Sequence, residues 1–434
     1  MNLNFIKFNI LYMQKIAKVL LILAILGVFW SGGLVEASSP IKVCTVQDLN
    51  AMRNNLSAEY IQICDINFAT SAKRPMEPIG TLGQGFTGKY DGNGYTIHNF
   101  TYSSSTGISI GLFAASRGVI KNVRLSNVNV SGKFTVGALA GTNTGTIENS
   151  HVLSGVVNGV GNESYHVGGL VGFNGDYNQV TGNLTGKILN SSSAAKVGSL
   201  TVRFAGGLVG IGDTGTTISN SYSTGDVYGH SSVGGLVGFL TGMITQSHAT
   251  GNVFGQDSVA HGCSPVQGVN TCVYVGGLAG GTSWHGKIDR SYSTGNVKGY
   301  DNIGGLVGYI FGDTEVSDTY AKGNVSGRSG IGGLIGSSRS AMVNSVVFPP
   351  KLMNSYSTGA SAGTEFFGGL WGYDNLSNST ETSSYWDTET SGLTTSVYGI
   401  GKTTLEMSEQ NTFSGWDFQN IWIMGDGASY PILR

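Results

Sequence analysis

The 434-residue chain holds 69 glycines, only 12 % charged residues and a formal net charge of −2. Ordinary domains are about a quarter charged, and a nucleic-acid groove needs clustered Lys and Arg. The composition therefore excludes a nucleic-acid surface and describes a poorly charged exterior of Ser, Thr, Asn and Gly.

Taken in order, Lys15 and Lys18 precede an apolar run from Val19 to Trp30, and small residues follow through Ala37 and Ser38. A basic start, a short apolar run and a small-residue site read as a cleaved secretory signal over 1–37. The run is shorter than the about 20 residues a bilayer span needs, so no stable span is expected after cleavage. Either Met1 or Met13 fits as the start. Removing 1–37 takes three of 24 basic and one of 26 acidic residues, which leaves 21 against 25, or −4.

Residues 38–106 read as an N-terminal capping segment. Thr45 with Asp48 is a capping-box helix start, flanked by short strands near Ile41–Cys44 and Tyr60–Ile66. These bring Cys44 and Cys64 within reach, and an oxidising exterior favours their disulfide. Asp91-Gly92-Asn93-Gly94 is a tight-turn signal; it is too short for a calcium loop.

From 107 to 374 one unit recurs, clearest as VGGLVGFLTGMITQSHATGNVFG (Val233–Gly255). The first Gly of each copy falls at 137, 168, 206, 234, 276, 304, 332 and 368. The unit is therefore 28 residues with insertions of 3, 10, 14 and 8. Each copy carries three short apolar runs between turn residues, a strand pattern with no helical periodicity. Such a unit cannot bury its own apolar face; stacked copies bury a continuous column through Leu208, Leu236, Leu278, Leu306 and Leu334. At about 4.8 Å per coil, eight coils make a rod about 40 Å long. The fold class is all-β, a parallel β-helix (β-solenoid) of about eight or more coils, with a mixed N-terminal cap and an aromatic-rich C-terminal cap.

Tyr222, Tyr292, Tyr320 and Tyr356, with His151 and His248, share one slot of the unit. Asn149, Asn190, Asn220 and Asn354 form a broken amide ladder beside it. Both ladders read as structural. The 14-residue insertion, within 256–273, holds His261, Cys263 and Cys272; the two cysteines suit a loop-local disulfide, and projecting insertions are a frequent place for binding. Residues 375–434 are a C-terminal capping segment whose Trp386, Trp416 and Trp422 are expected to plug the open end of the last coil. A short helix is expected within 403–411.

The recurring Gly-Gly-Leu-Val-Gly followed by Ser-Tyr-Ser-Thr-Gly-x-Val resembles the GLUG-motif repeat family. The segment Cys64–Tyr102 resembles the opening of such proteins, and Ser384–Gly392, Gly399–Met407 and Gly415–Arg434 resemble their close. The resemblance implies a bacterial, extracellular or cell-surface β-helix of the kind found in adhesins and IgA-peptidase-like surface proteins. It implies no shared catalytic residues.

The residue patterns of catalysis are missing one by one. Glycoside cleavage needs two carboxylates at controlled separation. Asp313, Glu315 and Asp318 cluster, but Arg290 stands in register with Asp318 and predicts a cross-coil ion pair. None of the seven histidines is followed by Glu, so the zinc-peptidase motif is absent. Gly107-Ile108-Ser109-Ile110-Gly111 matches Gly-x-Ser-x-Gly without the required strand-to-helix elbow. Gly401-Lys402-Thr403 lacks the earlier Gly of a phosphate loop, with Ser396 in its place. No catalytic residue, metal or cofactor is expected. The reading is a secreted or surface-exposed, non-catalytic rod for adhesion or scaffolding, with an extracellular glycan or a surface protein of a host or neighbouring cell as partner. Trp284, His285 and His261 are its candidate binding residues. A polysaccharide-binding or polysaccharide-cleaving β-helix is the alternative.

Overall fold

The computed structural model describes residues 39–70, 76–161, 164–176, 186–256, 265–266, 269–270, 273–376, 378–427 and 429–434. The expected signal at 1–37 and residues His261, Cys263 and Cys272 lie outside them. Contacts divide the chain after Pro40, and the second unit is Ile41–Arg434.

This second unit is a parallel β-solenoid. The copy at 233–255 shows its plan, with strands Ser232–Gly234, Val237–Leu240, Met243–Thr245, His248–Ala249 and Val253–Phe254. Each pairs in parallel with its counterparts in the coils above and below. Five sheets result, called I to V in this order. Sheets I, II and V carry nine strands each and sheets III and IV twelve. Two strands beyond the expected three come from corners hidden inside the apolar runs: Gly-Gly-Leu turns sheet I into sheet II, and one left-handed residue turns sheet III into sheet IV.

The repeat arithmetic is reproduced in the ladder. Gly137 pairs with Gly168, Gly168 with Gly206, Gly206 with Gly234 and Gly234 with Gly276. Gly276, Gly304, Gly332 and Gly368 continue it. Leu208, Leu236, Leu278, Leu306 and Leu334 are fully buried in one column, each such side chain contributing about 1.5–3 kcal/mol over exposure.

The corner between sheets III and IV explains the amide ladder. Asn122, Asn149, Asn190, Asn220, Gln246, Arg290, Asp318 and Asn354 all hold φ between 43° and 56°. Asn tolerates this region better than most side chains, which is why it dominates the slot. Asn149 donates to Asn122 (2.7 Å) and Asn122 to Asp91 (2.9 Å). The serine that follows forms a ladder of its own, unexpected from the sequence. Ser191, Ser221 and Ser247 are buried; each hydroxyl donates to the carbonyl two residues back. Each also accepts the backbone N–H of the matching residue one coil earlier, at 3.1 Å. One hydroxyl thus satisfies two backbone groups that the corner frees from the sheet.

In the N-terminal segment the capping box forms at Thr45 and Asp48, opening the helix Val46–Ala51. Cys44 and Cys64 are disulfide-bonded, their Cα atoms 5.2 Å apart. Strands Ile41–Val43, Glu59–Gln62 and Lys89–Asp91 already belong to sheet III. The turn at 91–94 is one more corner between sheets III and IV, not a hairpin. At the other end, Tyr385–Asp387 and Ile400–Lys402 extend sheet IV. The parallel sheets therefore reach beyond 107–374 on both sides.

Candidate functional site

The Tyr/His slot lies on the outer face of sheet IV. Tyr222, His248, Tyr292 and Tyr320 stack with ring centroids 4.7–5.1 Å apart, and Tyr356 continues the stack at 5.2 Å. Burial lowers the pKa of His248. Of the C-terminal aromatics expected to plug the last coil, Trp386 joins the core at its end, whereas Trp416 and Trp422 do not. Met407, Phe413, Trp416 and Trp422 fold back along the side of the rod and bury Tyr320, Tyr356 and Tyr385. Trp422 donates to Asp318 (3.0 Å), Trp416 to the Ser383 carbonyl (2.8 Å), and Tyr356 to the Pro431 carbonyl (2.6 Å). Trp386 and the stretch 395–397 already occupy the coil end, and the stacked tyrosines of sheet IV give the others an apolar face. The short helix appears as Thr404–Met407, capped by Thr403 and Glu406. With Trp386, Trp416 and Trp422 all buried, none offers a ring face for a sugar.

The acids of the repeats have structural partners. Asp289 takes Arg290 (2.9 Å) and Glu315 takes Lys287 (2.9 Å). Arg290 and Asp318 do share a register, but the expected pair between them does not form. Arg290 turns to its chain neighbour, and Asp318 accepts from Trp422 and Asn354. Burial holds the Asp318 carboxyl above its ordinary range despite those donors. Ser109 of the Gly-x-Ser-x-Gly match gives its hydroxyl to the Ala114 carbonyl, and Lys402 pairs with Glu406.

Of the candidate binding residues, Trp284 and His285 sit together in a turn between sheets II and III. Both are left-handed, with φ of 35° and 61°. Such a conformation is strained for bulky residues and persists only where neighbours fix it. Asp313 of the next coil does so: one oxygen accepts the His285 backbone N–H (2.8 Å) and the other meets its Nδ1 (2.6 Å). The Trp284 indole packs over Gly312, where a Cβ would come within 3.4 Å of the ring. It meets Phe311 and Phe348 edge-on, at 5.4 and 6.1 Å between centroids, and stays 38 % exposed.

Phe348 belongs to a feature that sequence pattern alone did not single out. The insertion between Gly332 and Gly368 folds as an antiparallel hairpin, Ala341–Val343 with Val346–Phe348. Asn344 and Ser345, at φ 49° and 66°, form the doubly left-handed two-residue turn that strand twist favours. Met342, Val343 and Val346 are 64, 45 and 56 % exposed. They form an exposed apolar hairpin tip that Phe348 links to Trp284. The signal was Asn-Ser between Met-Val and Val-Val. Among the described residues, no group of three or more His, Cys, Asp or Glu could hold a metal, and no helix is long and apolar enough to cross a membrane.

The GLUG motif matches residues 229–253 and 299–326. Halomucin of Haloquadratum walsbyi is 33 % identical over 163 residues, which is 34 % of this chain and 2 % of that protein. Immunoglobulin A1 protease of Streptococcus sanguinis is 30 % identical over 273 residues, 61 % of this chain and 12 % of that protein. The chain thus spans a small part of the length of these relatives. Among solved structures, a candidate immunoglobulin A1 protease of Bacteroides ovatus superposes over 92 % of this chain and 93 % of its own, at 18 % identity and a TM-score of 0.43.

Proposed function

We propose, from the premise that this chain carries the GLUG motif on a parallel β-solenoid, that it is an extracellular, non-catalytic rod acting in adhesion or scaffolding. The observation that carries this reading is the exposed surface of Trp284, Met342, Val343 and Val346. Exposed apolar side chains gathered on a projecting hairpin mark a contact site, and His285, locked by Asp313, supplies a polar group beside Trp284. The aliphatic makeup of the hairpin favours a surface protein of a host or neighbouring cell over a glycan as partner. The engagement of Asp289, Glu315 and Asp318 in structural contacts supports the non-catalytic part.

The test uses protein starting at Ser38, applied to immobilised cells and run through native gels cast with polysaccharides. A triple variant, Trp284→Ala with Met342→Ser and Val346→Ser, is expected to lose at least tenfold in cell binding with an unchanged unfolding midpoint. Equal binding by the variant rejects the surface. Clearing of polymer in the gel, or fragments after incubation with immunoglobulin A1, rejects the non-catalytic reading.

A further inference from the structure

The N-terminal cap closes the rod unevenly. It adds strands to sheets III and IV, and bridges from Ile79 and Phe86 cover the first strand of sheet II. Among the described residues sheet I receives no strand from it and sheet V only Thr101–Ser104, so Ser109–Ile110 and Thr101–Ser104 are their outermost strands. At this open corner lies a cleft of about 390 Å³. That is at the small end of the about 300–1,000 Å³ of ligand sites, a size for one ring rather than a polymer.

Its wall combines three polar groups. Tyr102 donates to Glu77 (2.7 Å), and both burial and Glu77 push the phenol up to about 12, so it stays a neutral donor. Glu77 keeps its second oxygen without a protein donor among the described residues. Arg53 makes no hydrogen bond or ion pair with any described residue, yet it is close enough to act electrostatically on Tyr102. Pro78 and Leu82 add apolar lining, and Ile108 stands at the mouth.

We infer that this cleft binds the terminal residue of an acidic glycan, a pyranose that carries a carboxylate. Arg53 takes the carboxylate, for which its planar fork is suited. The open oxygen of Glu77 accepts from a ring hydroxyl, and the C–H face of the sugar lies on the apolar lining. The unpaired edge of Ser109–Ile110 offers backbone donors and acceptors to the remaining hydroxyls. A peptide C-terminus would satisfy Arg53 and could offer Glu77 an amide N–H, but it has no ring of hydroxyls for the edge of Ser109–Ile110, so a dipeptide is among the probes below. A free amino acid demands an enclosed site, whereas Ile108 at the mouth is 53 % exposed. The site stands at the far end of the chain from the Trp284 surface and does not depend on it.

The test is titration calorimetry with saturation-transfer NMR, on protein from Ser38. The probes are methyl β-glucuronide, its methyl ester, N-acetylneuraminic acid, methyl β-glucoside, leucine and N-acetyl-alanyl-alanine. Saturable binding of glucuronide or neuraminic acid is expected, and which of them binds tells the two acidic sugars apart. The ester and the glucoside are expected at least tenfold weaker. Arg53→Gln is expected to weaken acid binding at least tenfold, about 1.4 kcal/mol. Tyr102→Phe and Glu77→Gln are expected to weaken it with unchanged unfolding midpoints, and Trp284→Ala to leave it untouched. No binding by either acid, equal binding of the ester, or binding by leucine or the dipeptide alone overturns the assignment.

Discussion

His166 shows how one residue sets a measurable property of the rod. It is 8 % exposed and lies among Phe204 and Phe173, with ring centroids 5.3 and 5.5 Å away. Burial, and then the charge of Arg203, lowers its pKa from 6.5 to about 4. The folded chain therefore refuses a proton that the unfolded chain accepts below pH 6.5. The sign is fixed by that difference: the contribution is whole above pH 6.5, declines as pH falls toward 4, and is flat below. The loss is on the order of 3 kcal/mol. Urea unfolding of His166→Phe beside the parent protein checks it. The variant is expected to lose this part of the pH slope and to match the parent's trend above pH 7. Identical slopes would mean that the ring is protonated in the folded state.

At the scale of the element, glycine decides the corner between sheets I and II. A Cβ on Gly235 would collide with the Gly277 carbonyl of the next coil and come within 2.8 Å of the Ala249 Cβ. Neither a backbone carbonyl nor a packed methyl can step aside. Gly235→Ala is expected to destabilise by about 3 kcal/mol, the scale of overpacking. Gly83→Ala, whose Cβ would meet only Thr81 Oγ1 at 3.9 Å, is expected within 0.5 kcal/mol of parent. Comparing the two urea midpoints makes the check. The same corner marks how far the sequence could be read. Period, register and the Leu column were legible because every coil repeats them. The split of three apolar runs into five strands was not, because a corner of Gly-Gly or a single left-handed Asn leaves the apolar run unbroken. Trp284 and His285 could be singled out as an unusual pair. Their company could not, since Phe348 reaches Trp284 only through the stacking of two further coils. Asp318 misled for a related reason: register places residues side by side but does not say that a tryptophan 104 positions on arrives to claim the carboxylate.

For the whole molecule, the last 30 or so residues are cladding. Trp416 and Trp422, ring centroids 4.4 Å apart, join Phe413 over a column that the solenoid alone would leave wet. A chain ending at Lys402 is expected to keep its parallel-β circular dichroism and to bind more of a hydrophobic dye than the full chain does. Tyr356, 0 % exposed in the full chain, is expected to become quenchable in it. Loss of the β signal would instead assign the cladding a part in holding the last coils together.

The uneven N-terminal end has a consequence for growth. Sheet III starts three strands before the first strand of sheet I, a step of about 14 Å at ordinary strand spacing. An open β edge is a template on which another chain can polymerise. Here the overhang stands in the way of any flat-ended coil that would add to Thr101–Ser104 or Ser109–Ile110, while leaving room for a molecule the size of a sugar. A ledge that would admit a sugar would thus also keep one rod from seeding a fibre on the next.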